Sequence, residues 1–225
     1  MKKSILAMSL VLALVLALSL AGCGTAMTDA STVLVQGNLD EIYLGKYDPA
    51  FLELVNTTEE QAEANYIQGL ETEADYFAYY FSIDYMDDTL QDEIVELYKE
   101  IYSHSRYEVG EATKVDDSTY GVPVTIYPID IMQTVYDQAD AAIAEFNASY
   151  SDDEMYLIEN DEAAYAEYDA AWARMWIQLC RDNLDSIGYL EPQEMVVQVK
   201  QDSDGLWTIY DDDFNRIDVA MIYYP

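Results

Sequence analysis

The periodicity of the chain predicts an α+β fold in which helices pack on a curved antiparallel sheet built from two hairpins. Three observations carry this expectation. Apolar residues first recur every three or four positions, alternate one by one after Arg106, and return to each pattern once more before the C-terminus. The strands of each alternating stretch are neighbours in the chain, so they join locally without a crossover. Half of the 225 residues are apolar (51%) and 21 are tyrosine, which is enough to bury a core despite the high charge.

The first helix is expected over Ser31 to Leu44, with Val33, Leu34, Leu39, Ile42 and Tyr43 along one side and Gly45 closing it in a left-handed conformation. Asp48 is placed to cap a second helix and Pro49 to open it, because the first helical position needs no N–H. A third starts in NTTEEQ, where Thr57 with Glu60 or Thr58 with Gln61 matches a capping box, and runs to about Ile83. Asp88, followed by Gln91, opens a fourth whose Leu90, Ile94, Leu97, Tyr98 and Ile101 form a core face.

Then the period drops to two. YEVGEATKV alternates, DDST turns, and TYGVPVTIYP returns with Tyr120, Val122, Val124 and Ile126 on one face. Pro123 lacks a ladder donor, which puts its strand at a sheet edge or its ring at a bulge. Helix resumes from Asp130 through Ile131, Val135, Ala139, Ile143 and Phe146. Another is expected from about Glu162 to Ile187, with Tyr165, Tyr168, Trp172, Met175 and Leu179 as its stripe and Gly188 as its stop. The second hairpin is QEMVVQVKQ, the turn DSDG and LWTIY; Asp211 to Asp213 then cap a last helix holding Phe214, Ile217 and Met221.

The N-terminus has the three parts of a secretory signal: basic Lys2 and Lys3, an apolar run from Ile5 to Leu20, and small Ala21 and Gly22. Its last four residues, LAGC, resemble the lipobox of bacterial lipoproteins. That resemblance implies a diacylglycerol thioether on Cys23 and cleavage just before it. The expected organisation is a signal peptide over 1–22, a lipidated cysteine and flexible tether over 23–30, and a single α+β domain over 31–225. An uncleaved membrane helix is the alternative; Gly22 and Gly24 around the cysteine and the lack of a basic stop-transfer cluster argue against it. Each buried methylene contributes about 0.8 kcal/mol, so two or three acyl chains hold a protein stably at a bilayer. The chain is thus expected on the extracytoplasmic face of the cell membrane, bound through lipid.

The net charge is −34, and −36 once residues 1–22 are removed, since two lysines leave and no acid does. Such a surface repels nucleic acid, which is bound by Lys and Arg that release counterions. Anionic headgroups are disfavoured on the same ground.

A wider resemblance rests on QGNLDEIYLGKYDPAFLELV, YGVPVTIYPIDI and DGLWTIYDDDF. These stretches look like a group of uncharacterised lipoproteins of Gram-positive bacteria, similar to domains of the cystatin-like or nuclear-transport-factor-like type. The resemblance implies helices on a curved sheet and carries over no catalytic residue.

Chemistry is sparse in the rest of the sequence. His104, the sole histidine, stands near a helix end, where the dipole favours it, and one histidine with a lipidated cysteine builds no zinc site. No GxSxG or phosphate-cradling glycine loop occurs. The acidic runs Asp87-Asp88, Asp152-Asp153-Glu154 and Asp211-Asp212-Asp213 fall at expected turns or helix starts, where capping or solvation explains them. DSDG from Asp202 fails the EF-hand count, meeting Trp207 where glycine and Asp213 where glutamate are required. Cys180 reads as a packed small side chain. Within YFAYYF most rings face inward, and Tyr79 is the candidate contact residue. These features predict no cofactor and no metal. The expected role is a binding module for an envelope protein, peptide or wall component, with an envelope glycan hydrolase using a carboxylate pair as the alternative.

Overall fold

The computed structural model describes residues 24–203 and 205–225. The signal peptide and Cys23 lie outside the described residues. Helices α1 (Gly24–Leu44), α2 (Pro49–Leu54), α3 (Glu59–Phe81) and α4 (Asp88–Tyr102) precede strands β1 (Arg106–Val109), β2 (Thr113–Asp116) and β3 (Thr119–Tyr127). Helices α5 (Ile131–Ala148), α6 (Asp152–Asn160) and α7 (Glu162–Asn183) follow. The chain ends with β4 (Gln193–Gln201), β5 (Trp207–Ile209) and α8 (Asp211–Met221). The fold is α+β, with helices packed against a strongly curled antiparallel half-barrel sheet, consistent with the nuclear-transport-factor-like or cystatin-like type.

The chain divides into two compact units. One comprises the residues up to Gly69, Ser105–Pro128 and Tyr189–Met221, and holds α1, α2, the first half of α3, the whole sheet and α8. Its strands run in the order β1-β3-β4-β5, with β2 also on β3. The two hairpins meet through β3 and β4, which align Tyr120 with Val199, Val122 with Val197 and Val124 with Met195. These apolar pairs are buried and face the core that Leu34, Leu39, Phe51 and Ile217 fill from the helices.

Pro123 sits on a central strand. Between β1 and β2 the register on β3 slips by one residue, and there Gly110 N–H donates to the Pro123 carbonyl (2.8 Å). In a strand the N and O of one residue point the same way, so the missing proline donor faces this bulge. Of the two expected placements the bulge is the one adopted.

Most helix starts follow the expected caps. Asp48 accepts from Ala50 N and Phe51 N, with Pro49 opening α2. Thr58 and Gln61, rather than Thr57 and Glu60, form the box that starts α3 (3.3 Å both ways). Gly45 closes α1 at φ 57°. Three differences have local causes. Asp87, not Asp88, caps α4, because its extended backbone brings the carboxylate 2.7 Å from Leu90 N. Residues 24–30, expected as a flexible tether, are helical from Gly24; Ala30 and Ser31 are buried, and extending a helix already nucleated costs little. The core face of α7 is Asp169, Ala173, Trp176, Ile177 and Cys180, whereas Tyr165, Tyr168 and Trp172 of the expected stripe are half-buried.

The other unit comprises Leu70–His104, Ile129–Gly188 and Ile222–Pro225, and is helical. Phe77, Phe81 and Trp176 pack ring on ring, with centroids 4.6 and 4.4 Å apart in sequence. The C-terminal segment enters this core: Tyr224 meets the edges of Tyr76 and Tyr80 at 5.0 Å, and its hydroxyl lies 2.5 Å from that of Tyr98. Burial pushes both phenols well up, so the pair stays neutral.

Candidate functional site

Within the helical unit, α6 and α7 meet without a spacer. Ser151 and Glu154 form a capping box that starts α6. Asp161 ends α6 and caps α7, its N–H donating to Leu157 O and its carboxylate accepting from Ala164 N (2.9 Å). The loop leaving α3 is tied to the same place. Asp169, 3% exposed, accepts from the backbone N–H groups of Asp84 (2.9 Å) and Tyr85 (2.7 Å), and Trp172 Nε1 donates to Phe81 O (2.7 Å). Tyr165 then donates its hydroxyl to Asp84 (2.6 Å).

These bonds seat the Tyr85 ring edge-on to Tyr165 at 5.7 Å, while Tyr168 lies near-parallel to Tyr165 at 6.5 Å. The three rings, with Met155, Ile158 and Glu162, line an open groove of about 700 Å³. Glu159 and Asp161 add carboxylates to its wall, and none of its lining residues is basic. The hydrogen bond to Asp84, followed by burial and the charge of that carboxylate, pushes the Tyr165 phenol up to about 12. It is a neutral donor at physiological pH, with its hydroxyl already engaged. The groove therefore offers aromatic faces and negative charge.

Three of the carboxylates named from the sequence have structural partners, and Asp213, expected among the caps of the last helix, reaches across to β4 instead. Asp87 caps α4, Glu154 closes the box on Ser151, and buried Asp213 accepts from Gln198 N (2.9 Å) and Arg216 Nη1 (3.0 Å). In DSDG, the Asp202 carboxylate accepts from Leu206 N and Gly205 turns at φ 84°. No group of three or more His, Cys, Asp or Glu arranged to hold a metal ion occurs among the described residues. Cys180 is fully buried, and burial pushes its thiol up to about 12, the state of a packed side chain. His104 is exposed just beyond the end of α4.

Tyr79 lies on α3, 77% exposed, with its ring 6.3 Å from Tyr76. It does not line the groove. Tyr85 and Asp169 were not singled out by sequence reasoning, and Tyr165 and Tyr168 were assigned to the core. An aspartate interrupting the apolar face of α7 is the signal that marks the site in retrospect, since a buried carboxylate must have donors to hold.

No protein-family model matches the chain, and no curated protein matches it. Among solved structures it is similar to a candidate lipoprotein (ycdA) of Bacillus subtilis, with a TM-score of 0.55 at 16% identity. The match covers 88% of this chain and 58% of that one, so the likeness is one of fold and spans less than two thirds of the other protein. No helix among the described residues is long and apolar enough to cross a membrane.

Proposed function

We propose that this chain is an envelope lipoprotein, held on the extracytoplasmic face of the membrane by acyl chains on Cys23, whose folded part is a non-enzymatic binding module. The observation that carries the reading is LAGC behind a basic start and an apolar run. The likeness in fold to a candidate lipoprotein supports it, and the curled sheet with packed helices supports grouping the chain with cystatin-like or nuclear-transport-factor-like domains of such proteins. The hydrolase alternative needs two carboxylates free to act across a cleft. Around the groove, Asp84, Asp161 and Asp169 are engaged in holding the backbone and a tyrosine, which removes these three as candidates for such a pair.

The anchor is tested by mass spectrometry and fractionation. The membrane fraction should yield a peptide that begins at Cys23 and carries a diacylglycerol mass increment, and Cys23→Ser should move the protein to the soluble fraction. Retention of Cys23→Ser in the bilayer as firmly as the parent overturns the anchor.

A further inference from the structure

We propose that the groove formed by α6, α7 and the loop after α3 binds a ligand bearing an organic ammonium group, seated against the tyrosine rings and beside the carboxylates at the α6–α7 junction. The inference rests on the binding-module reading and names its ligand class.

A cation is attracted to the face of a tyrosine ring by the ring quadrupole, most strongly where water is partly excluded. Tyr85, Tyr165 and Tyr168 put three such rings around one opening. Tyr165 donates its hydroxyl to the Asp84 carboxylate, which enriches its ring in electron density and leaves the ring as what it can offer a ligand. The two arginines of α7 do not compete for these faces. Arg174 is bound to Glu93 through two nitrogens (3.0 and 3.1 Å), and Arg181 reaches the Glu93 carbonyl.

The remaining lining selects among cations. Ile158 and Met155 give an apolar floor, against which methyl or methylene groups gain by burial and a hydrated metal ion gains nothing. Glu159 and Glu162 supply charge complementarity that a neutral sugar cannot use, and an anion is repelled. A volume of about 700 Å³ suits a small molecule, such as a polyamine or a quaternary amine.

The test is isothermal titration of the full-length chain in detergent with tetramethylammonium and spermidine, beside magnesium ion and chitobiose. Tetramethylammonium and spermidine should bind saturably. Tyr85→Leu should weaken tetramethylammonium about tenfold, in the range of a cation–π contact, and Tyr85→Phe should restore it. Because the backbone of Tyr85, not its ring, holds the loop, the Leu variant keeps its scaffold. Glu162→Gln should weaken binding about threefold, as expected for a partly exposed charge, and Tyr79→Leu should change nothing. The proposal is overturned if neither ammonium probe saturates, if Tyr85→Leu binds like the parent, or if magnesium displaces tetramethylammonium at matched ionic strength. Binding of chitobiose alone, lost in Tyr85→Leu, also overturns it while leaving the binding-module reading intact. The Cys23→Ser fractionation reports on the anchor independently.

Discussion

Glu41 and Asp169 are both buried carboxylates, with opposite consequences. Asp169 is matched to two backbone donors. Glu41, on α1, accepts only from Asn65 Nδ2 (3.2 Å) through one oxygen, and its Oε2 has no partner among the described residues. Burial raises the Glu41 pKa, opposed by the Asn65 hydrogen bond. The sign follows: a carboxyl whose folded pKa is raised supports the fold fully below its unfolded pKa, and that support is lost as pH rises through the raised value. Glu41→Gln should therefore flatten the fall of stability above the ordinary carboxyl range and raise the midpoint at pH 7, read from urea unfolding at stepped pH. For Asp169→Ala, two part-buried N–H groups lose their acceptor, and a loss of about 1–3 kcal/mol is expected from the same measurement. The variant should also increase amide exchange at Asp84 and Tyr85, whose N–H groups both donate to Asp169.

At the scale of elements, two contacts set the geometry. Gly37 of α1 lies directly against Phe51 of α2: an added Cβ would lie 2.1 Å from Phe51 Cγ, inside any permitted separation. Gly37→Ala should cost about 1–3 kcal/mol by overpacking and lower the thermal midpoint. Ser151 starts the helix that walls the groove, and Ser151→Ala should cost about 1 kcal/mol locally. Hydrogen exchange should find that loss confined to α6. The caps were legible because each acts within four residues; Thr58, Gln61, Asp48 and Pro49 carry the signal in the sequence itself. The stripe of α7 was not. Its helix has apolar or aromatic residues nearly all round, so Tyr165, Tyr168 and Trp172 compete with Ala173, Trp176 and Cys180 for the core, and only packing decides.

For the whole molecule, the net charge of −34 means self-repulsion in the compact state. Raising salt from 0.01 to 0.15 M shortens the screening length from about 30 to about 8 Å. The thermal midpoint should rise by about 2–4 °C, equal to about 1 kcal/mol for a chain of this size. A midpoint indifferent to salt would mean that the acids are too widely spaced to repel one another in the fold.

The sequence by itself determined the alternation of helices with two local hairpins, most of the turns and caps that bound them, and Cys23 as the expected anchor, because each of these is written in residues within about one turn or one strand of each other; the separate helix α6 and the division of YEVGEATKV into β1 and β2 were not legible in it. Only the tertiary structure decided that β3 pairs with β4, that a proline on a central strand faces a bulge, that the chain forms two units, and that Asp169 brings Tyr85 to Tyr165. Asp84 and Asp169 stand 85 positions apart and Tyr98 and Tyr224 stand 126 apart, and no local pattern encodes which distant partner offers the better burial and the better acceptor.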